Sequence, residues 1–134
     1  MAGYSGTPLP QKLGLRPHFR VAAFNLPAEA KVDLKQSLDE CGIAKQGELD
    51  FAMIFAKSQA ELRREFSRFA RQLAAAGMLW VSWPKKTSGV ATDLTENDVR
   101  RIGLEAGLVD VKVCAVSGVW SGLKFVIRVK DRAK

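Results

Sequence analysis

Apolar runs of strand length alternate with segments of helical spacing along this chain, and that alternation restricts its fold more than any single motif. "RVAAF", residues 20–24, reads as a short buried strand. "NLPAEAKVDLKQSLDECG" follows, with Val32, Leu34 and Leu38 loosely at helical spacing and Gly42 as a stop. "DFAMIFA", residues 50–56, is apolar at both alternating positions, which suits a central parallel strand covered on both faces. "SQAELRREFSRFARQLAAAG" then predicts a helix. Ser58 with Glu61 forms a capping box, Gly77 closes the end, and Leu62, Phe66, Phe69 and Leu73 make one stripe. "MLWVSW" is the third strand. A helix over "TENDVRRIGLEAG" follows, opened by Thr95 with Asp98 as a variant capping box and by Leu94 with Val99 as a hydrophobic staple. "LVDVKVCAV" and "LKFVIRV" flank the short glycine-bearing "SGVWSG" and pair as a hairpin.

The order is β-α-β-α-β-α-β-β. It predicts an α/β fold in three layers: a mostly parallel open sheet of about five strands with helices on both faces and an antiparallel C-terminal hairpin. The 134 residues suit a single α/β domain, 1–134, with residues 1–18 as an N-terminal arm. In this arrangement "RVAAF" is an edge strand, which leaves homodimerisation open.

Several function classes fall away on composition. No run of 18 apolar residues exists, and the N-terminus lacks the apolar core of a signal peptide, so the expected location is cytoplasmic, without membrane attachment. Cys41 and Cys114 are far apart and form no CxxC pair. Cys114 falls within an apolar strand and reads as a buried thiol. His18 is the only histidine, so neither HExxH nor a His–His metal pair is available, and no GxSxG elbow is present. No metal and no cofactor is expected from these residues.

The net charge is +7. Residues 1–28 carry Lys12, Arg16 and Arg20 with no acid, and residues 118–134 carry five basic residues against Asp131. The body between them is balanced. A nucleic-acid module usually concentrates positive charge on its reading element, so this distribution counts against nucleic-acid binding. Arg64, Arg68 and Arg71 lie opposite the apolar stripe of their helix, as a phosphate-binding row or as a solvated face paired with Glu61 and Glu65.

Residues 49–130 resemble the C-terminal half of a class I methyltransferase. "DFAMIFAKSQAELRREFSRFARQLAAAGMLWVSWP" is similar to that family's fourth strand, helix and fifth strand, and the hairpin to its sixth and seventh. The resemblance implies a Rossmann-like, methyltransferase-like sheet. The first half departs from the family. No glycine occurs from Leu15 to Cys41, where the family has a glycine-rich turn, and the 24 or so residues between Asn25 and Asp50 leave no room for the strand whose terminal acid would hold the cofactor ribose. The motifs "GYSGTPL" with "KLG", "WVSWPKK.SGV.TDLTE" and "DVKVCAV" with "WSGLKF" also resemble a small bacterial family of unknown function. That likeness carries no activity with it.

Parallel α/β sheets bind ligands beyond the carboxyl ends of their strands. Here those ends are Asn25-Leu26-Pro27, Lys57-Ser58, Trp83-Pro84-Lys85 and the turn 117–122. Lys85, Lys86, Thr87, Ser88 and Gly89 share the composition of a phosphate loop without the GxxxxGK[ST] order. They read as a looser anion site or as a solvated loop ending in a helix cap. Trp80 and Trp83 differ by three in a strand and face opposite sides, with Trp83 better placed to line a cleft. Trp120 falls in the hairpin turn, as an exposed stacking platform or folded back on the sheet. Tyr4, Ser5 and Thr7 would face the same cleft if the arm crossed the carboxyl edge. Asp93 is the acid beside the loop, and no general acid–base pair can be named.

These readings lead to an expected non-catalytic α/β module that binds an anionic small molecule or a protein partner at the carboxyl edge of the sheet. The expected ligand-binding residues are Trp83, Lys85, Lys86, Thr87, Ser88, Gly89, Trp120, Tyr4 and Ser5, and catalytic residues are unassigned. The alternative is a divergent S-adenosylmethionine-dependent, methyltransferase-like enzyme. A second alternative is nucleic-acid binding.

Overall fold

The computed structural model describes residues 7–43 and 47–132. Tyr4 and Ser5 lie outside them. Among the described residues, six strands form one sheet in the order β2-β1-β3-β4-β6-β5. They are β1 (Arg20–Phe24), β2 (Gly42–Ile43), β3 (Leu49–Phe55), β4 (Leu73–Pro84), β5 (Leu108–Ala115) and β6 (Trp120–Ile127). The first four run parallel, and β6 lies antiparallel between β4 and β5. The helices are α1 (Leu9–Leu13), α2 (Ala28–Asp39), α3 (Gln59–Ala70) and α4 (Glu96–Glu105). The three-layer α/β architecture and the antiparallel hairpin are as the sequence predicts. None of the helices among the described residues is long and apolar enough to cross a membrane.

The sheet divides the core in two. On one face, Leu62, Phe66 and Phe69 of α3 and Val99 and Ile102 of α4 pack on Leu79, Val81, Leu123 and Phe125. On the other, Leu13 and Leu15 with Ala30 and Leu34 cover Phe51, Met53, Phe55 and Trp80. Strand β3 supplies alternate residues to both halves, which is why its sequence is apolar throughout. Trp80 and Trp83 fall in opposite halves, at 1% and 5% exposure. The Trp80 indole N–H donates to the Leu13 carbonyl at 2.8 Å and so anchors α1 on the face of the sheet.

Four local expectations change. A sixth strand exists: Gly42 is not a helix stop but opens the two-residue β2, which pairs outside Arg20 and Val21. The edge of the sheet is therefore β2 there, not β1. Val32, expected on the inner stripe of α2, is 77% exposed, because Ala30 and Leu34 define the buried face. Helix α3 ends at Ala70 rather than running to Gly77. Leu73 instead pairs with Leu49 in β4, and tertiary pairing overrides the helical propensity of the Ala74-Ala75-Ala76 run. The ladder then jumps from Leu49–Leu73 to Phe51–Met78. Gly77 sits in this bulge, where a Cβ would lie 2.5 Å from the Leu49 carbonyl oxygen.

Helix α4 follows its sequence signals. Thr95 accepts from the Asp98 N–H, Asp98 accepts from the Thr95 N–H, and Leu94 and Val99 are both buried.

Candidate functional site

Strand β1 leads through α2 to β2 on one side, whereas its neighbour β3 leads through α3 to β4 on the other. The loops that leave β1 and β3 therefore diverge. A crevice opens between them at the carboxyl edge, where this architecture places ligands. It encloses about 610 Å³ and is lined by Asn25, Leu26, Pro27, Phe55, Lys57, Ser58, Glu61 and Trp120. That volume lies within the range of small-molecule sites.

Each wall has a local cause. Asn25 ends β1 in the left-handed region, at φ 57°. Asparagine tolerates that region better than most residues, so the chain turns sharply without glycine. Ser58 caps α3 by accepting the Glu61 N–H. The Glu61 carboxylate does not complete the capping box on Ser58. It reaches past it to accept the Lys57 N–H at 3.2 Å, and it lies 3.5 Å from the Asn25 amide. Glu61 thus bridges the two diverging loops. Neither Glu61 nor Lys57 makes an ion pair among the described residues. Trp120, at 7% exposure, packs edge-on against Phe55 with ring centroids 5.2 Å apart. Of its two expected placements, the folded-back one holds.

A second cleft, of about 330 Å³, lies beside β4 and is lined by Trp83, Pro84, Lys85, Lys86, Thr87, Leu94, Thr95, Glu96 and Ser121. The structure brings Trp83, Lys85, Lys86 and Thr87 together here and places Trp120 in the crevice instead. Ser88 is turned inward: its hydroxyl donates to the Lys85 carbonyl and accepts from the Val90 N–H. Gly89, at φ 78°, closes the single 3₁₀ turn over Lys86–Ser88. Asp93 acts as a structural cap, with Oδ1 accepting the Gln59 N–H at 2.8 Å. An apolar slot of about 520 Å³ adjoins the crevice on its other side, sharing Asn25 and Leu26 and reaching Ala22, Leu38 and Ile43.

Asn25, Lys57 and Glu61 were not among the expected site residues. The strand-end rule marks the first two positions. Glu61 reads from sequence only as a capping residue, and no local signal says that its carboxylate passes beyond the cap.

The arginines of α3 are engaged by acids. Arg64 and Arg68 donate through Nε to Glu65 at 3.1 and 2.9 Å, and Arg63 bridges to Glu105 at 2.9 Å. Burial works to raise the pKa of Glu65. Hydrogen bonds from Arg68 and Arg64 outweigh it and hold the carboxyl below its ordinary 4.5. Cys114 is half-buried, and burial pushes its thiol up.

No protein-family model and no curated protein matches the chain. Solved structures do. Magnesium protoporphyrin IX methyltransferase (ChlM) from Synechocystis PCC 6803, with bound SAM, aligns at 14% identity over 89% of this chain and 74% of that one, with a TM-score of 0.58. A TehB-like SAM-dependent methyltransferase from Corynebacterium glutamicum ATCC 13032 aligns at 11% identity over 95% and 91%, with a TM-score of 0.56. LepI in complex with SAM aligns at 10% identity over 90% and 39%, with a TM-score of 0.54. At these identities the likeness is one of fold, a methyltransferase-like Rossmann sheet. Because the neighbours include SAM-dependent methyltransferases, the expectation of a non-catalytic module is corrected in favour of its alternative. The resemblance to a small bacterial family rests on its three motifs alone.

Proposed function

We propose that this chain is a divergent, methyltransferase-like enzyme that holds an S-adenosylmethionine-class ligand in the crevice between β1 and β3. One observation carries the reading. At the point where the sheet reverses its winding, the crevice is lined by one acidic residue, Glu61, and one lysine, Lys57, neither in an ion pair among the described residues. A zwitterionic amino-acid group complements that pair, with its α-ammonium on Glu61 and its α-carboxylate on Lys57 and the Ser58 region. Charge-assisted hydrogen bonds of this kind are among the stronger ones.

The residues fit the amino-acid end of such a ligand. The left-handed Asn25 gives the turn after β1 the tight geometry that a glycine would otherwise supply. The adjoining slot of about 520 Å³ offers apolar walls to an adenine ring. The ribose end is served differently from the expectation for this fold. The described part of β2 ends at Ile43, and the three residues next in sequence, Ala44-Lys45-Gln46, include no acid. Affinity therefore depends on the amino-acid end. When bound, the sulfonium supplies an electrophilic methyl group. Pro27, Phe55 and Trp120 limit water on the flank of the crevice.

The test compares S-adenosylhomocysteine with methylthioadenosine, which keeps the adenosine and lacks the amino acid. A ligand at a hundred times its dissociation constant adds about 2.7 kcal/mol to stability, a melting shift of several degrees at this size. S-adenosylhomocysteine is expected to give that shift, methylthioadenosine to give little, and Glu61→Gln to abolish the difference. No shift with S-adenosylhomocysteine or S-adenosylmethionine at millimolar concentration would reject the reading.

A further inference from the structure

The cleft beside β4 carries charge that the crevice does not explain. Lys85 and Lys86 stand at its rim, and Thr87 and Ser121 add hydroxyls. Its one acid, Glu96, already accepts from Arg100 at 2.7 Å, so the two lysines are left without a counter-charge from the cleft. Trp83 and Leu94, at 5% and 3% exposure, form an apolar floor.

The loop that carries the lysines is fixed at both ends to residues of the crevice region. The Lys85 N–H donates to the Val119 carbonyl at 2.8 Å, and Pro84 is the ladder partner of Trp120. At the other end, the Thr92 hydroxyl and the Asp93 N–H both donate to the Lys57 carbonyl, at 2.6 and 3.3 Å. These bonds hold the cleft next to the crevice.

Two acids, Glu96 in the cleft and Asp93 beside it, are engaged. Asp93 accepts from Gln59 and Glu96 from Arg100, and the sole histidine, His18, precedes β1 at the amino end of the sheet. Among the described residues lining the cleft, no carboxylate or imidazole stands free to remove a proton. A substrate that brings an attacking atom already deprotonated needs no base there.

We propose that this cleft is the acceptor subsite for a small organic carboxylate with an apolar body, held by Lys85 and Lys86 over Trp83 and Leu94. The assignment rests on the crevice reading given above. Transfer to a carboxylate balances without a proton. An oxygen lone pair forms the new O–CH3 bond, the S–CH3 bond breaks, and its electron pair stays on sulfur, leaving a neutral methyl ester and a thioether. The volume of about 330 Å³ limits the acceptor to the small end of ordinary ligands.

Benzoate is the probe, and benzamide, its neutral isostere, the control. Both are titrated into the full chain at low salt while backbone amide shifts are followed by NMR. Benzoate is expected to shift the amides of Lys85, Lys86, Thr87 and Ser121 saturably, and benzamide is not. Lys85→Ala with Lys86→Ala should weaken benzoate about tenfold or more with the remaining spectrum unchanged. Lys85→Gln with Lys86→Gln, which keeps the aliphatic stems, should do the same. Equal response to benzamide, or undiminished benzoate binding in either double variant, overturns the proposal. Benzoate reads the cleft directly. A chain that binds benzoate and no adenosyl ligand counts against the crevice reading alone, and the converse counts against the cleft alone.

Discussion

Trp80 and Leu13, 67 residues apart, are joined by a buried hydrogen bond of 2.8 Å from indole N–H to backbone carbonyl. The bond fixes the last turn of α1 on the centre of the sheet, and Lys112 Nζ adds a second contact to the preceding carbonyl, of Lys12, at 3.2 Å. Trp80→Phe keeps a ring in the core and removes the donor. The expected loss is about 1–3 kcal/mol, since the carbonyl is left without its partner. Urea unfolding checks it, and an unchanged midpoint would mean that α1 does not depend on this bond.

Gly103 reverses an ordinary rule. Glycine to alanine inside a helix normally stabilises by about 1 kcal/mol. Here a Cβ would collide with the Phe125 ring, which is fully buried and packed edge-on against Phe66 at 5.1 Å. Gly103→Ala is expected to destabilise by about 1–3 kcal/mol through overpacking. A stabilised variant in thermal unfolding would show that Phe125 has room to move.

The ion cluster on α3 sets an acid limit. Glu65 is 6% exposed and has a folded pKa below its ordinary 4.5 despite its burial, because Arg68 and Arg64 hydrogen-bond to it. A depressed carboxyl pKa contributes stability that is fully present above the unfolded value and is lost as pH falls through the folded one. Stability should hold above about pH 5 and decline below the ordinary value. In Glu65→Gln that part of the decline should be shallower, as followed by melting temperature from pH 7 to pH 3. Identical slopes would remove Glu65 from the acid response.

Asp93 ties the loop after β4 to the start of α3 through the Gln59 N–H. Asp93→Ala is expected to cost about 0.5–2 kcal/mol, the usual range for a lost cap. It should also loosen Lys85 and Lys86, visible as lower amide order parameters in residues 85–89. Ser58→Ala, which removes the cap at Glu61 on the same helix, should cost a similar amount without that loosening.

The sequence analysis reads the fold well where one pattern dominates. The two-faced apolar run of β3, the Thr95–Asp98 box and the hairpin all form as expected. It fails where two patterns fit the same residues. Leu73 lies on the helical stripe of α3 and pairs with Leu49 in the sheet, and only the tertiary partner decides between them. The site shows the same limit. The strand-end rule points to the carboxyl edge, and Lys85, Lys86, Thr87 and Trp83 do share a cleft there. The bridging of Glu61 between two loops depends on strand order, since β1 and β3 are neighbours in space with α2 and β2 between them in the chain. A two-residue strand such as β2 is too short to show periodicity at all.

That short strand has its own consequence. Among the described residues, β2 pairs with β1 at Arg20 and Val21, while β3 pairs with residues 21–24 along the other flank. β4 is paired along both flanks from Met78 to Ser82. Resistance to opening should therefore fall across the sheet, with amide hydrogens in β4 exchanging slowly and those at the end of β1 and in β2 first to exchange with solvent. The crevice is thus bordered on one side by the end of β3, a strand paired on both flanks, and on the other by the end of β1. A molecule bound there would be registered as slower hydrogen exchange along β1, far more than as any change in the helices that close the opposite face.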